Sequence, residues 1–298
     1  MGRIFMSFRS KKTVVFTELG SYFFHYFPLL ILNPFYRVST IYLSVESKKS
    51  YHQLLALPLK DKLRFLWKRI RHRKFSELLC YIYFFIRAKR FLIYDKTTFQ
   101  PVEVDYLCSL GFLRLIPAAQ ISAATFSTNM HWSLLPKYAG MHPVYWTIRN
   151  GEKRFGFTLH EVNAEFDQGD ILIQQSFELQ NHMTSDDVNG VLKKYSRKSF
   201  SKFLWNRQKF QSRSREQEVL DDALKMKKPL PEELVLQEVD SIEEMVLKFR
   251  ADIFGTKVVY QGELIRVYGV GNYKPFTHLD QRSFMFNGLE IFVSSDVF

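Results

Sequence analysis

The sequence predicts an α/β chain in which a mostly parallel sheet with interleaved helices is followed by a smaller, mostly β C-terminal unit. Three observations lead there. Over the first 205 residues, β-branched and aromatic runs alternate with apolar runs at helical spacing. One run, VDYLCSLGFL (104 to 113), is almost continuously apolar, the pattern of a parallel strand covered on both faces. Beyond residue 205 the composition turns polar and charged, and short strands around glycine turns follow.

Taken in order, TVVFT (13 to 17) reads as a first strand that ends near Gly20 and Ser21. The next run is apolar at helical spacing until Pro34, and RVSTIYLSVE (37 to 46) alternates as a second strand. Residues 60 to 90 read as helical, FLIY (91 to 94) as a third strand and 104 to 113 as a fourth. TFSTNMHWS, GFTLHEVN (156 to 163) and DILIQQSFEL (170 to 179) continue the strands. Thr184 caps a helix, with Asp187 three residues on and Val188, Val191, Leu192 and Tyr195 on one face. The polar, proline-bearing stretch from Asn206 reads as a surface linker. A helix over SIEEMVLKFRADI (241 to 253), a hairpin around Gln261-Gly262 and a strand pair around Asn287-Gly288 complete the chain.

Composition sets limits on function. At 46% hydrophobic and 24% charged residues, the chain has material for a sizeable core. Its two cysteines, Cys80 and Cys108, fit neither a zinc site nor a disulfide framework and read as small buried hydrophobes in a reducing compartment. No metal is expected. The richest apolar stretch, YFFHYFPLLIL, carries His25 and Pro28, and LLCYIYFFI is too short to span a bilayer. The N-terminus lacks the apolar core of a secretory signal, so a cytoplasmic protein is expected. Net charge is +12, and the stretch from Lys60 to Arg90 alone holds eleven Lys or Arg against Asp61 and Glu77. Such a block is either a solvated helix face or a surface that attracts phosphates, nucleic acid, anionic lipid or an acidic cofactor tail.

The segment NMHWSLLPKYAG (129 to 140) carries the chemistry. In a strand, Asn129 and His131 share a face. On its own an N-x-H pair is usually a strand end satisfied by nearby backbone. Open α/β sheets, however, bind ligands at the carboxyl ends of their strands. Downstream, EVNAEFDQGDIL puts Asp167 in a loop before the next strand, with Gly169 allowing a tight turn. If the three meet, two donors can hold a developing oxyanion while a carboxylate orients the imidazole, which is an acyl-transfer arrangement.

In order and spacing, NMHWSLLPKYAG, GFTLH (156 to 160), DQGDI (167 to 171) and the upstream GFLRLIP (111 to 117) resemble the N10-formyltetrahydrofolate-dependent formyltransferases. The likeness covers residues 104 to 180 well and the first hundred loosely. It implies a Rossmann-like catalytic domain, placed over residues 1–205, while the composition change sets a linker over 206–230 and a small, mostly β domain over 231–298. The likeness also implies N10-formyltetrahydrofolate as co-substrate and Asn129, His131 and Asp167 as catalytic residues. The Asn129 amide and His131 would stabilise the oxyanion formed when an amine attacks the formyl carbonyl. Asp167 would orient His131 and help remove the amine proton. Phe112, Leu113, Arg114, Leu115 and Ile116, with Ala164, Glu165 and Phe166, would line the pterin pocket; for Phe112 and Phe166 ordinary core packing is the competing reading. Ser133 is expected to order its loop and His160 to make a structural hydrogen bond, and His142 follows the glycine turn.

The implied acceptor is a small-molecule amine. LPKYAGMHPVYWTI resembles the segment of the enzymes that formylate nucleotide-linked amino sugars more than that of the tRNA enzymes. Methionyl-tRNA formyltransferases remain an alternative through FRADIFGTKVVYQGELIRV (249 to 267), though their usual opening after the first strand is missing. A formyl-folate hydrolase and a non-catalytic folate-binding homologue are the others. A homodimer is compatible with any of them.

Overall fold

Strand β1 (Lys11–Thr17) forms where the β-branched run predicts it, and Thr13 to Thr17 are completely buried. The computed structural model describes residues 10–44, 47–71, 74–218, 226–252, 255–274 and 281–294. Residues 45 and 46 of the expected second strand, Ile253 of the expected C-terminal helix and linker residues 219–225 lie outside them. The chain divides into two units: Met1–His131, Leu159–Ile173 and Ser196–Gln217 make one, and Trp132–Thr158, Gln174–Tyr195 and Glu218–Phe298 the other.

In the first unit, β1 is followed by helix α1 (Ser21–Ile31) and strand β2 (Tyr36–Leu43). α1 stops three residues before Pro34, which disfavours helical geometry at Asn33, the residue ahead of it. It buries Phe23, Tyr26, Phe27 and Leu30. The stretch read as helical over 60 to 90 is two helices, α3 (Leu59–Arg71) and α4 (Phe75–Ile86), preceded by α2 (Lys48–Ala56). β3 (Phe91–Ile93) and β4 (Tyr106–Leu110) come next. Every residue of β4 is buried, as its apolar run implies, yet the strand is shorter than the run. Gly111 ends it in a left-handed conformation, φ +68°, with the Tyr22 ring 3.0 Å from where a Cβ would stand.

α5 (Ala118–Ser122) leads to β5 (Ser127–His131). α6 (Pro143–Arg149), β6 (Arg154–His160) and β7 (Ile171–Glu178) follow, then α7 (Ser185–Trp205) and α8 (Arg207–Gln211). The sheet order is β3-β2-β1-β4-β5-β6-β7, and the pairs β1–β2, β1–β4, β2–β3 and β4–β5 are parallel. Phe16 anchors one side of its core, 4.8 Å from the Tyr42 ring and 5.2 Å from that of Phe112. Cys80 and Cys108 are free and buried, and burial pushes the Cys108 thiol up to about 12.

The second unit packs Leu236, Met245, Phe249, Val258, Val267, Val270, Ile291 and Val293 into its own core. β8 (Val235–Leu236) precedes α9 (Ile242–Ala251), whose start is fixed by a Ser241/Glu244 capping box. β9 (Lys257–Tyr260) and β10 (Glu263–Arg266) form the expected hairpin, with φ 50° at Gln261 and 84° at Gly262. After β11 (Gly269–Val270), β12 (Gln281–Phe286) and β13 (Leu289–Ser294) pair around Asn287-Gly288, again both at positive φ. Positive φ at both central residues gives these turns the twist that antiparallel strands need.

Candidate active site

The site is built at the carboxyl end of β5. Alternation sends Thr128 to one side, where its hydroxyl lies 2.6 Å from the Tyr106 hydroxyl, and Asn129 and His131 to the other. The two share one carboxylate. Asn129 Nδ2 donates to Asp167 Oδ1 at 3.0 Å, and His131 Nδ1 faces Asp167 Oδ2 at 3.5 Å. The second distance is that of a charge contact rather than a full hydrogen bond. Little of either side chain, His131 or Asp167, reaches solvent.

His160, the last residue of β6, completes the cluster. Its Nδ1 lies 2.6 Å from the Glu161 main-chain oxygen, which can only accept, so Nδ1 carries a hydrogen. Its Nε2 is 3.1 Å from Asn129 Nδ2, an amide that can only donate, which makes Nε2 an acceptor. Both amide hydrogens of Asn129 are thereby engaged, one by Asp167 and one by His160. A proton added at His160 Nε2 would instead point at Asp167 Oδ1, 3.3 Å away, and release one of them.

Asp167 reaches this position through a left-handed backbone, φ 55°, which aspartate tolerates better than most residues. Gly169 closes the turn against β6: a Cβ there would stand 1.9 Å from the Glu161 oxygen. Glu161 N–H donates to the Asp170 oxygen at 2.9 Å, and residues 171 and 215 exchange main-chain hydrogen bonds of 2.8 and 3.0 Å. Two residues on, Gln217 Nε2 donates to the main-chain oxygens of Asp167, at 3.1 Å, and Gly169. Gln217 sits in a stretch that reads as linker, and nothing in its local sequence marks it.

The residues expected to line a pterin pocket separate by burial. Phe112 and Ile116 are core residues, the Phe112 ring lying 5.6 Å from that of Tyr94. Leu113, Arg114, Leu115, Ala164, Glu165 and Phe166 are exposed. The first three leave the sheet just after β4, whose Ser109 pairs with Asn129 of β5, so they emerge at the carboxyl end of the strands that carries the cluster. The last three lead directly into Asp167.

Ser133 and His142 belong to the second unit. Ser133 Oγ donates to the Lys137 oxygen at 2.7 Å and the Ser133 oxygen accepts from Thr158 Oγ1 at 2.7 Å, a loop-ordering arrangement. His142 precedes α6 with φ 55°. That unit also has a surface cavity of about 590 Å³ lined by Lys137, Tyr138, Glu152 and Arg154, and none of Asn129, His131 or Asp167 lines it. Among the described residues no group of three or more His, Cys, Asp or Glu is placed to hold a metal ion.

Residues 94–204 match the Formyl transferase family. The methionyl-tRNA formyltransferase of Mycoplasma capricolum subsp. capricolum is 34% identical over 110 residues, 37% of this chain. That alignment spans 33% of the relative, so the chain matches about a third of its length. Two solved structures share the fold. The 4-N formyltransferase from Francisella tularensis has a TM-score of 0.58 at 18% identity, covering 85% of this chain and 95% of that one. The N-formyltransferase from Helicobacter canadensis, in complex with folinic acid and dTDP-3-aminofucose, has a TM-score of 0.56 at 16% identity, covering 94% and 98%.

Proposed function

We propose that this chain, whose residues 94–204 match the Formyl transferase family, moves a formyl group from N10-formyltetrahydrofolate to a primary amine on a nucleotide-linked amino sugar. The observation that carries the reading is the convergence of Asn129, His131 and Asp167 at a strand end.

The folate supplies an activated formyl group. The residues at this strand end fit such a flat, amphipathic ligand, because Leu113, Leu115 and Phe166 leave large apolar side chains exposed there. Leu113, Arg114 and Leu115 with Ala164, Glu165 and Phe166 would hold it, and Phe112 and Ile116 support that segment from the core. His131 presents its imidazole to the developing negative charge, and the Asp167 carboxylate 3.5 Å from Nδ1 orients the ring. Asn129 contributes an amide hydrogen only when one of its two internal bonds opens. Asp167 is the acceptor for the proton that the amine loses.

Support for the sugar acceptor is twofold. The Helicobacter canadensis structure of the same fold holds an amino-sugar nucleotide, and LPKYAGMHPVYWTI resembles the matching segment of such enzymes. The methionyl-tRNA reading draws on the Mycoplasma relative and on FRADIFGTKVVYQGELIRV (249 to 267), and the basic block between Lys60 and Arg90 favours neither acceptor.

The deciding experiment supplies formyl-folate with a panel of amino-sugar nucleotides or charged methionyl-tRNA. Transfer to a sugar with little salt dependence supports the proposal. Transfer to tRNA that weakens steeply with salt supports the alternative. Formate release at the same rate without any acceptor makes the protein a hydrolase. Folate binding with no turnover makes it a binding protein.

A further inference from the structure

Helix α3, LKDKLRFLWKRIR, is strongly amphipathic, and an amphipathic surface helix ordinarily turns its apolar stripe to the core. Here the stripe faces water. Leu59, Leu63, Trp67 and Ile70, spaced four, four and three residues apart, are 72%, 57%, 59% and 49% exposed. The helix is held instead from another side. The Phe65 ring lies 4.6 Å from that of Tyr81 on α4, and Lys62 lies over Phe85 while donating to the Leu55 oxygen at 3.1 Å. α4 repeats the pattern. Its buried Cys80 and Phe84 face inward, and Phe75, Leu79, Ile82 and Ile86 on the opposite side are exposed. One exposed leucine needs no explanation, but eight large apolar side chains aligned on two packed helices do.

The charge around the stripe is basic. Lys60, Arg64, Lys68 and Arg71 follow one another along one flank of α3, all exposed, and Lys74, Arg87 and Lys89 bracket α4. Arg64 reaches Asp61 at 3.8 Å and Lys74 reaches Glu77 at 3.3 Å, contacts that leave the surplus of positive charge standing. No helix among the described residues is long and apolar enough to cross a membrane. An apolar stripe of Leu, Ile and Trp beside a Lys/Arg flank, on helices too short to span, is the pattern of a segment that lies in the plane of a lipid surface. A nucleic acid would use the cations and leave the stripe in water. A second copy of this face would bring two cationic flanks together.

We propose that α3 and α4 form a docking face that seats the protein on an anionic lipid leaflet, the stripes entering the acyl boundary and the basic flank meeting lipid phosphates. The proposal stands apart from the reaction assigned to the strand-end site.

The test is co-sedimentation of the full chain with phosphatidylcholine vesicles with and without phosphatidylglycerol. Expected is binding to the phosphatidylglycerol vesicles, weakened by salt, and little to phosphatidylcholine alone. The double variant Leu63→Gln, Trp67→Gln should reduce that partitioning at least tenfold. A second variant, Lys60→Gln, Arg64→Gln, Lys68→Gln, should lose the lipid preference. Both touch only exposed side chains and should unfold at the wild-type temperature. The proposal is overturned if wild type ignores the anionic vesicles or if neither variant alters binding. Self-association or RNA binding that uses this face without vesicle binding overturns it as well.

Discussion

The Gln217 side-chain amide donates to the main-chain oxygen of Asp167 at 3.1 Å, across fifty residues of sequence. The same nitrogen donates to Gly169, while the Gln217 side-chain oxygen has no hydrogen-bond partner among the described residues. The residue is buried, so its hold on the loop rests on Nε2 alone. Asp167 has a left-handed backbone, and two carbonyls tied to one amide fix the direction in which its carboxylate leaves the loop.

Gln217→Leu should therefore lower kcat more than it raises the folate KM, with a stability cost of about 1–3 kcal/mol for the carbonyls left unpaired. Gln217→Glu sets an acceptor-only carboxylate against two carbonyl oxygens. Protonation restores one donor, so its activity deficit should shrink as pH falls. A pH–rate profile parallel to wild type would show that Gln217 only supports the fold.

His131→Ala should abolish transfer while folate binding persists. Asp167→Asn keeps an oxygen for the Asn129 amide but removes the negative charge facing His131. A loss of about 10²–10⁴ in kcat is expected, the range of a positioned acid–base group. Single-turnover formyl transfer measures it, and wild-type rates in either variant would remove that residue from the mechanism.

Strand periodicity put Asn129 and His131 on one face, whereas Asp167 was tied to them only by the family resemblance, and its approach to both depends on how its loop folds back on β5. The sequence showed the two hairpins because Gln-Gly and Asn-Gly encode the turn. A structural hydrogen bond was expected of His160, and its Nδ1 makes one to the Glu161 oxygen, but the approach of its second nitrogen to Asn129 depends on how β5 and β6 come together. Gln217 was illegible for the same reason: a polar residue in a charged stretch acquires its partners only when that stretch docks. Length was misjudged at 104 to 113, where hydrophobicity continues past Gly111 but strand geometry does not.

Glycines of one chain should respond oppositely to the same change. A Cβ at Gly169 would overlap the Glu161 oxygen, so Gly169→Ala should cost on the order of 2–4 kcal/mol. At Gly190, inside α7, nothing stands within 4 Å of the added atom, and Gly190→Ala should gain about 0.5–1 kcal/mol from helix propensity. Denaturant midpoints compare the two.

Neither cysteine should react with a thiol reagent in the folded protein. Burial raises both thiols, Cys108 to about 12, so almost no thiolate exists near neutral pH. Ellman's reagent should find both thiols only after unfolding; rapid labelling of the native protein would contradict the burial.

The second unit buries an ion pair between Lys248 and Asp240. Nζ donates to both carboxylate oxygens, at 2.8 and 2.7 Å, and to the Val235 oxygen at 3.1 Å, so all three of its hydrogens are used. Asp240 also accepts from the Gln237 N–H at 2.8 Å, and both side chains are buried. Removing only the cation strands a carboxylate away from water, so Lys248→Met should destabilise by about 3–5 kcal/mol. Adding Asp240→Asn removes the stranded charge while keeping an oxygen for Gln237, and should recover a large part of that loss. A double-mutant cycle on denaturant unfolding separates the outcomes: additive losses would mean that the two side chains are stabilised independently. Recovery would show that the unit tolerates the ion pair's absence better than its halves.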